Sequence, residues 1–262
     1  MTFSIIIVCL NPGAKIKETV DSVISQDYGD FEIIIKDGGS EDGSVDDYKA
    51  GFDPRIKFIY TKDSGIYDAM NQAVTYTTGD YVLFLNSGDR FYDATVLSKA
   101  ARALPEPAEH TIAYGDAFFE KNRSLVHPAS TLTKGNLYGN LPCHQSIFYS
   151  RDVLEARNFD TGLKIRADYE HLLYNFFKTD TEFVYLGFTV CTYEGGGVSE
   201  SSANRERDTK ERREAISRYY SKADIAKNNA VRLFTLSRVR KALNENPATS
   251  AAYQKFRNLF VK

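Results

Sequence analysis

Five short segments carry the carboxylate, hydroxyl, amide and imidazole groups that could do chemistry in this chain. Asp37-Gly38-Gly39-Ser40 offers a carboxylate, backbone amides opened by two glycines, and a hydroxyl, a set able to hydrogen-bond a nucleobase edge and its ribose. The same residues build ordinary tight connections, so alone they read as well as a surface turn. They form neither a GxGxxG nor a GxxxxGK[ST] loop, which removes support for a dinucleotide site or a P-loop. Asn86-Ser87-Gly88-Asp89 is a second acidic turn directly after an apolar run, and oxygen ligands there suit Mg²⁺ or Mn²⁺ bridging a diphosphate. In the stretch from Asp63 to Asn71, Gly65 opens a helix and Asp68 and Asn71 lie one turn apart. Both face a common crevice if Tyr67 and Met70 pack inward, although a first-turn acid favoured by the helix dipole explains Asp68 equally. At Arg166-Ala167-Asp168-Tyr169-Glu170-His171, a carboxylate at the rim of an apolar wall could take a proton from a hydroxyl; Asp168 could equally cap the helix. His144, in Cys143-His144-Gln145, reads as a structural histidine.

These segments need elements to position them. Phe3 to Leu10 is a continuous, β-branched run ending at Asn11-Pro12-Gly13, as expected of a strand buried on both faces of a parallel sheet. Ile16, Val20, Val23 and Ile24 then share one helical face. Strand Phe31 to Lys36, strand Ile56 to Tyr60, helix Gly65 to Thr77 and strand Tyr81 to Asn86 continue a βαβα alternation, which predicts right-handed crossovers and an open sheet with helices on both faces. Ligands of such sheets sit outside the carboxyl ends of the strands, so Asn11, Asp37 and Asn86 to Asp89 should converge on one crevice. Beyond Pro105 the alternation weakens: Thr111 to Phe119, Gln145 to Ser150 and Glu182 to Tyr193 read as strands and Tyr169 to Lys178 as a helix.

With 262 residues, 42% of them apolar and 26% charged, the chain is an ordinary globular protein, and disorder as its main state is excluded. No apolar run reaches the roughly 20 residues that cross a bilayer, and the first ten residues lack the marks of a signal peptide, so the expected location is cytoplasmic. Cys9, Cys143 and Cys191 have no metal-site spacing and read as reduced, buried thiols. The net charge of -2 hides an asymmetry: residues 205–262 carry +9 and the first 204 carry -11. The expected layout is therefore a domain over 1–204, with a nucleotide half (1–104) and an acceptor half (105–204), followed by a basic helical extension over 205–262.

In combination these segments resemble the family 2 glycosyltransferases with the GT-A fold, over roughly residues 2–200. The resemblance rests on the opening strand and Asn11, the Asp37 to Ser40 turn with Asp42-Gly43-Ser44, and Asp63-Ser64-Gly65-Ile66-Tyr67-Asp68-Ala69-Met70-Asn71. Thr78-Gly79-Asp80-Tyr81, Cys143-His144-Gln145, Phe159-Asp160, Ala167-Asp168-Tyr169-Glu170 and Gly196-Gly197-Val198-Ser199 follow in the family's order. It implies an α/β, Rossmann-like, mostly parallel central sheet flanked by helices. It also implies inverting transfer of a sugar from a nucleotide diphosphate, usually UDP-linked, to a hydroxyl of a glycan or lipid-linked glycan, as in bacterial O-antigen, capsule or exopolysaccharide assembly. Asp37 would then read the uracil, Asn11 and Ser40 would lie near the nucleoside, and Asp63 and Asp68 near the ribose and donor sugar. Asn86 and Ser87 would flank the diphosphate, Asp89 would hold Mn²⁺ or Mg²⁺, and Asp168 would be the general base. One departure stands out: where many members have Asp-x-Asp-Asp, this chain has Asn86-Ser87-Gly88-Asp89, without the third-position carboxylate.

Two other classes share parts of this pattern. A nucleotidyltransferase would want a Gly-rich basic loop after the first strand, which Asn11 to Lys15 does not supply, and a non-catalytic, membrane-associated glycan binder would need neither Asp89 nor Asp168. No nucleic-acid partner is expected. In the tail, Leu236, Val239 and Leu243 among four cations, then Tyr253, Phe256, Leu259 and Phe260, form two amphipathic stripes. They suit an anionic inner-membrane surface, a homodimer partner or the chain's own domain.

Overall fold

The structure is a computed structural model, and it describes residues 1–139, 141–195 and 202–234. In chain order it contains β1 (Phe3–Cys9), α1 (Lys15–Ile24), β2 (Phe31–Asp37), α2 (Asp46–Lys49), β3 (Ile56–Tyr60), α3 (Ile66–Val74), β4 (Tyr81–Phe84), β5 (Arg90–Phe91), α4 (Val96–Ala103), β6 (Thr111–Phe119) and β7 (Ser124–Val126). Then come α5 (Lys134–Leu137), β8 (Ile147–Ser150), α6 (Arg151–Ala156), α7 (Ala167–Lys178), β9 (Glu182–Tyr193), α8 (Arg205–Tyr219) and α9 (Lys222–Phe234).

One sheet runs in the order β3-β2-β1-β4-β8-β6-β9-β5, with β7 added beside β6. From β3 to β4 every pairing is parallel. Antiparallel pairings enter with β8, while β6 and β9 pair in parallel across a bulge between Tyr114 and Ala117. The β-branched runs explain the centre of the sheet. Phe3, Ile5 and Ile7 enter one core with Ile33, Ile35, Tyr81 and Leu83; Ile6 and Val8 enter the other with Ile34, Val82 and Phe84. Alternate residues of each strand thus face opposite layers, and only a strand apolar on both faces can fill both.

The helices close the two layers. Ile16, Val20 and Val23 of α1 and Val96, Leu97 and Ala100 of α4 cover one face. Tyr67, Met70 and Ala73 of α3, Leu172 and Leu173 of α7, and Ala215 and Ile216 of α8 cover the other. Each large side chain buried this way contributes about 1.5–3 kcal/mol. Helix α8, with charged side chains at ten of its 15 residues, thus packs on the same core as α3 and α7. The tail stripes from Leu236 onward lie outside the described residues, as does Gly196 to Ser199.

Candidate active site

Strands β1 and β2 are parallel and in register, with Cys9 opposite Asp37, so the chain leaves both at the same edge. There the first turn closes on itself. Asp37 is fully buried; its two carboxylate oxygens accept the Ser40 amide at 3.0 and 3.1 Å, and Oδ1 accepts the Ser40 hydroxyl at 2.6 Å. Asn11, with φ at 48°, donates its amide to Ser40 Oγ at 2.8 Å and accepts the Glu41 amide on Oδ1 at 2.9 Å. Asp37, Ser40 and Asn11 therefore form one connected knot across two strand ends.

Lys36, the residue before Asp37, completes it from the other face of β2. Its side chain is fully buried, and its ammonium donates to Thr61 O at 2.6 Å, Asp63 Oδ2 at 2.8 Å and Asp37 O at 3.3 Å. The other oxygen of Asp63 accepts the Gly65 amide at 3.1 Å. A side chain on Gly38 would bring its Cβ within 2.8 Å of Asp63 Oδ2, so the Asp63 carboxylate would have to move off the position in which Lys36 holds it. Asp68 accepts the Ser64 amide at 2.7 Å and the Ser64 hydroxyl at 3.0 Å, and that amide holds its carboxyl below the usual range. Asn71 has a different task from its neighbour. Rather than facing the crevice, its amide group clamps the Phe159 backbone, donating to the carbonyl and accepting from the N–H, both at 2.9 Å.

The turn after β4 carries the second group. Asp89 is 4% exposed; its oxygens accept Gln145 Nε2 at 2.9 Å and the Glu194 amide at 3.0 Å. Burial pushes its carboxyl up to about 7, against the pull of those two donors. Gly88 has φ of +102° and gives its amide to Thr19 Oγ1 at 2.8 Å. A Cβ on Gly88 would run into the Glu194 carboxylate, which pairs with the Lys15 ammonium at 2.7 Å. Asn86 Oδ1 and Ser87 Oγ are buried without a hydrogen-bond partner among the described residues. No group of three or more His, Cys, Asp or Glu side chains able to hold a metal occurs among those residues. A divalent cation at a diphosphate needs less than that, because it takes much of its shell from phosphate and water, and one or two carboxylates beside neutral oxygens fit it.

Asp168 lies in the first turn of α7, whose cap position is Arg166, so Asp168 is not the capping residue. Its Oδ1 accepts the Tyr67 hydroxyl at 2.8 Å, and that hydroxyl also lies 2.8 Å from Ile165 O. Burial, then the Asp168 charge, lifts the Tyr67 phenol well above its usual range, keeping it a donor. His144 stacks on Phe84 at 5.3 Å, and its Nε2 is buried without a hydrogen-bond partner among the described residues. Burial lowers its pKa while the Asp168 charge opposes the drop. His144 and Gln145 occupy one short turn, and the His144 ring lies 5.9 Å from that of Phe159, which in turn lies 5.8 Å from that of Tyr67, the donor to Asp168. His171 is a core residue: its Nε2 meets Arg157 O at 3.0 Å, and burial lowers its pKa to about 4. Helix α8 ties down the loop before Asp168, because Glu211 accepts the amides of Lys164, Ile165 and Arg166 at 3.0, 2.7 and 3.1 Å. Asp208 adds an ion pair to Arg166 at 2.6 Å.

The family model "Glycosyl transferase family 2" matches residues 4–159, more than half of the chain. The chain belongs to glycosyltransferase family 2. This glycosyltransferase is 31% identical over 209 residues to a PGL/p-HBAD biosynthesis glycosyltransferase of Mycobacterium bovis, covering 78% of this chain and 81% of that one. Among solved structures it matches S. aureus TarS 1-349 in complex with UDP-GlcNAc at a TM-score of 0.65 and 20% identity, over 77% of this chain and 61% of that one. It also matches the mannosyltransferase PcManGT of Pyrobaculum calidifontis, in complex with GDP-Man and Mn²⁺, at 0.58 and 15%, over 99% and 87%. The fold is GT-A. Residues 160–234, which include Asp168 and its α8 support, lie beyond the family model's match.

Lys36, Tyr67, Gln145, Glu194 and Glu211 are additions to the residues singled out from sequence. A lysine inside the run Phe31 to Asp37 was a visible signal for Lys36. Glu194 and Glu211 carried none, since their partners lie more than 40 positions away.

Proposed function

We propose that this glycosyltransferase transfers a sugar, with inversion, from a UDP-linked donor to a hydroxyl of a glycan or lipid-linked glycan. The observation that carries the reading is the turn holding His144 and Gln145, which grips Asp89 through Gln145 and, through His144, packs on Phe159 beside Tyr67, the donor to Asp168. The knot of Asp37, Ser40 and Asn11 lies at the strand ends that receive a nucleoside in such a sheet, with Asp63 and Asp68 beyond it toward ribose and sugar. Asn86, Ser87 and Asp89 flank the diphosphate. Asp168 is the base: it takes the acceptor hydroxyl proton as that oxygen attacks the anomeric carbon from the side opposite UDP, and the carbon–oxygen bond to the diphosphate breaks. Tyr67 fixes the orientation of the carboxylate. Mn²⁺ or Mg²⁺, when bound, stabilises charge on the departing diphosphate.

The UDP donor is supported by the UDP-GlcNAc of TarS, and the metal by the Mn²⁺ that PcManGT binds together with GDP-Man. No helix among the described residues is long and apolar enough to cross a membrane. The charge of +9 over 205–262 supports peripheral contact with an anionic inner leaflet, where a lipid-linked acceptor is presented. Flotation with anionic liposomes, comparing the full chain with a version ending at Phe234 that keeps α8, tests that contact. Equal flotation contradicts it.

The donor is tested by thermal shift with UDP-GlcNAc, UDP-glucose, UDP-galactose, GDP-mannose and UTP, each with Mn²⁺. A UDP-sugar at 100 times its Kd should add about 2.7 kcal/mol of stability. A response to GDP-mannose alone would correct the nucleotide, and one to UTP alone would favour a nucleotidyltransferase.

A further inference from the structure

The missing third-position carboxylate leaves the turn after β4 with Asp89 as its sole acid. The structure brings a second one to that place from the other half of the sheet. Glu194 follows β9 directly, and its carboxylate occupies the space that a side chain on Gly88 would fill. Its backbone amide donates to Asp89 Oδ1 at 3.0 Å, so the two residues are locked together at both ends of one contact. We propose that Glu194 is the metal-directing carboxylate of this enzyme, supplied by the end of β9 in place of the residue that Gly88 lacks.

Three observations carry the inference. First, Gly88 leaves room for the carboxylate: φ of +102° disfavours a side chain, and a Cβ there would have to push the Glu194 carboxylate out of its place. Second, Glu194 is already paired with a cation. The Lys15 ammonium sits 2.7 Å away, and the two side chains are 55% and 35% exposed, so this is a weak, exchangeable pair that a divalent cation can replace. Third, the Asn86 Oδ1 and Ser87 Oγ atoms of the same turn are buried with no hydrogen-bond partner among the described residues. Buried oxygens are rarely left so, and a bound cation with its water shell would satisfy them. Asp89, Glu194, neutral turn oxygens and phosphate oxygens together make an oxygen-only set of the kind that Mg²⁺ and Mn²⁺ take. Gln145 Nε2 and the Glu194 amide at the end of β9 hold the Asp89 carboxylate in place.

The inference rests on the donor site proposed above, so UDP binding is measured separately from the response to metal. Calorimetry of UDP binding to the full chain, in EDTA and in Mn²⁺, is run on wild type, Glu194→Gln and Lys15→Gln. Glu194→Gln keeps size and a hydrogen bond to Lys15; Lys15→Gln breaks the same ion pair but leaves the carboxylate. The expected result is that Mn²⁺ tightens UDP binding in wild type, that Glu194→Gln loses at least tenfold of that tightening, and that Lys15→Gln retains it. If Glu194→Gln responds to Mn²⁺ as wild type does, or if both variants lose the response equally, Glu194 is only a structural partner and the inference fails. A wild type that binds no UDP in either buffer overturns the donor site and this inference with it.

Discussion

Replacing Glu211 by alanine should cost far more stability than a glutamate on a highly charged helix would lead one to expect. The residue is 6% exposed and accepts three consecutive amides, those of Lys164, Ile165 and Arg166, at 3.0, 2.7 and 3.1 Å. A hydrogen bond to a charged group contributes about 1.5–3 kcal/mol, and the three do not add independently because they share one carboxylate. Water can replace the partner of Lys164, which is exposed, and in part that of Arg166, but not that of buried Ile165. The expected loss is therefore about 3 kcal/mol, one full charged hydrogen bond and fractions of two others. Urea unfolding of wild type and Glu211→Ala measures it, and for a chain of this size the melting temperature should fall by roughly 6–12 °C. Glu211→Gln keeps one acceptor oxygen and should lose about half as much. Turnover should drop with little change in UDP affinity, since the loop carries Asp168 and not the nucleoside knot. A loss below about 1 kcal/mol for the alanine variant would refute the claim that α8 holds this loop.

Lys36→Met should destabilise by about 3 kcal/mol, because Asp63 loses its buried partner, and the Lys36→Met/Asp63→Asn double variant should recover part of that on urea unfolding. Asp37→Ala should weaken UDP binding by calorimetry at least about tenfold, roughly 1.4 kcal/mol. Asp89 gives a pH dependence. Burial raises its carboxyl to about 7, so the folded state keeps a proton that the unfolded chain releases near about pH 4. The stability this group contributes is complete below that lower value and is lost as pH rises through 7. In EDTA, Asp89→Asn should therefore gain stability over wild type at pH 8 relative to their difference at pH 5; equal differences at both would contradict it.

Much of the scaffold was legible because its cause is local. Three consecutive isoleucines in β1 and again in β2 can be satisfied only by burial on both sheet faces, and the small or acidic residues after them mark where the chain turns back. The approach of Asn11 to Asp37 followed from parallel pairing, while the hydrogen bonds that tie both to Ser40 depend on turn geometry that strand pairing does not set. Strand and helix ends were less legible: β4 stops at Phe84 rather than Asn86, and Gln145 and Ser146 form a tight turn before β8 begins at Ile147. The two-residue β5 and the three-residue β7 are too short to carry a periodic signal. The position of α8 was hidden for a different reason. Its composition says solvent and anionic surface, yet Glu211, Ala215, Ile216 and Tyr220 are buried, and Arg218 reaches Glu170 and Asp160. Charge that is exposed in an isolated helix becomes buried where a partner of opposite sign waits, and sequence order does not show the partner.

The role of Asp168 as the base can be measured directly. With the donor identified by thermal shift, UDP release and UDP affinity can be measured on the same samples of wild type and Asp168→Asn. Asparagine keeps the size of the side chain and an acceptor for Tyr67, so the fold and the donor site should persist while proton affinity is gone. The account predicts that UDP release falls by on the order of 10² to 10⁴ while UDP affinity stays within about twofold. Turnover near that of wild type would contradict it, and so would a joint loss of turnover and UDP affinity, which would make Asp168 part of the structure rather than the chemistry.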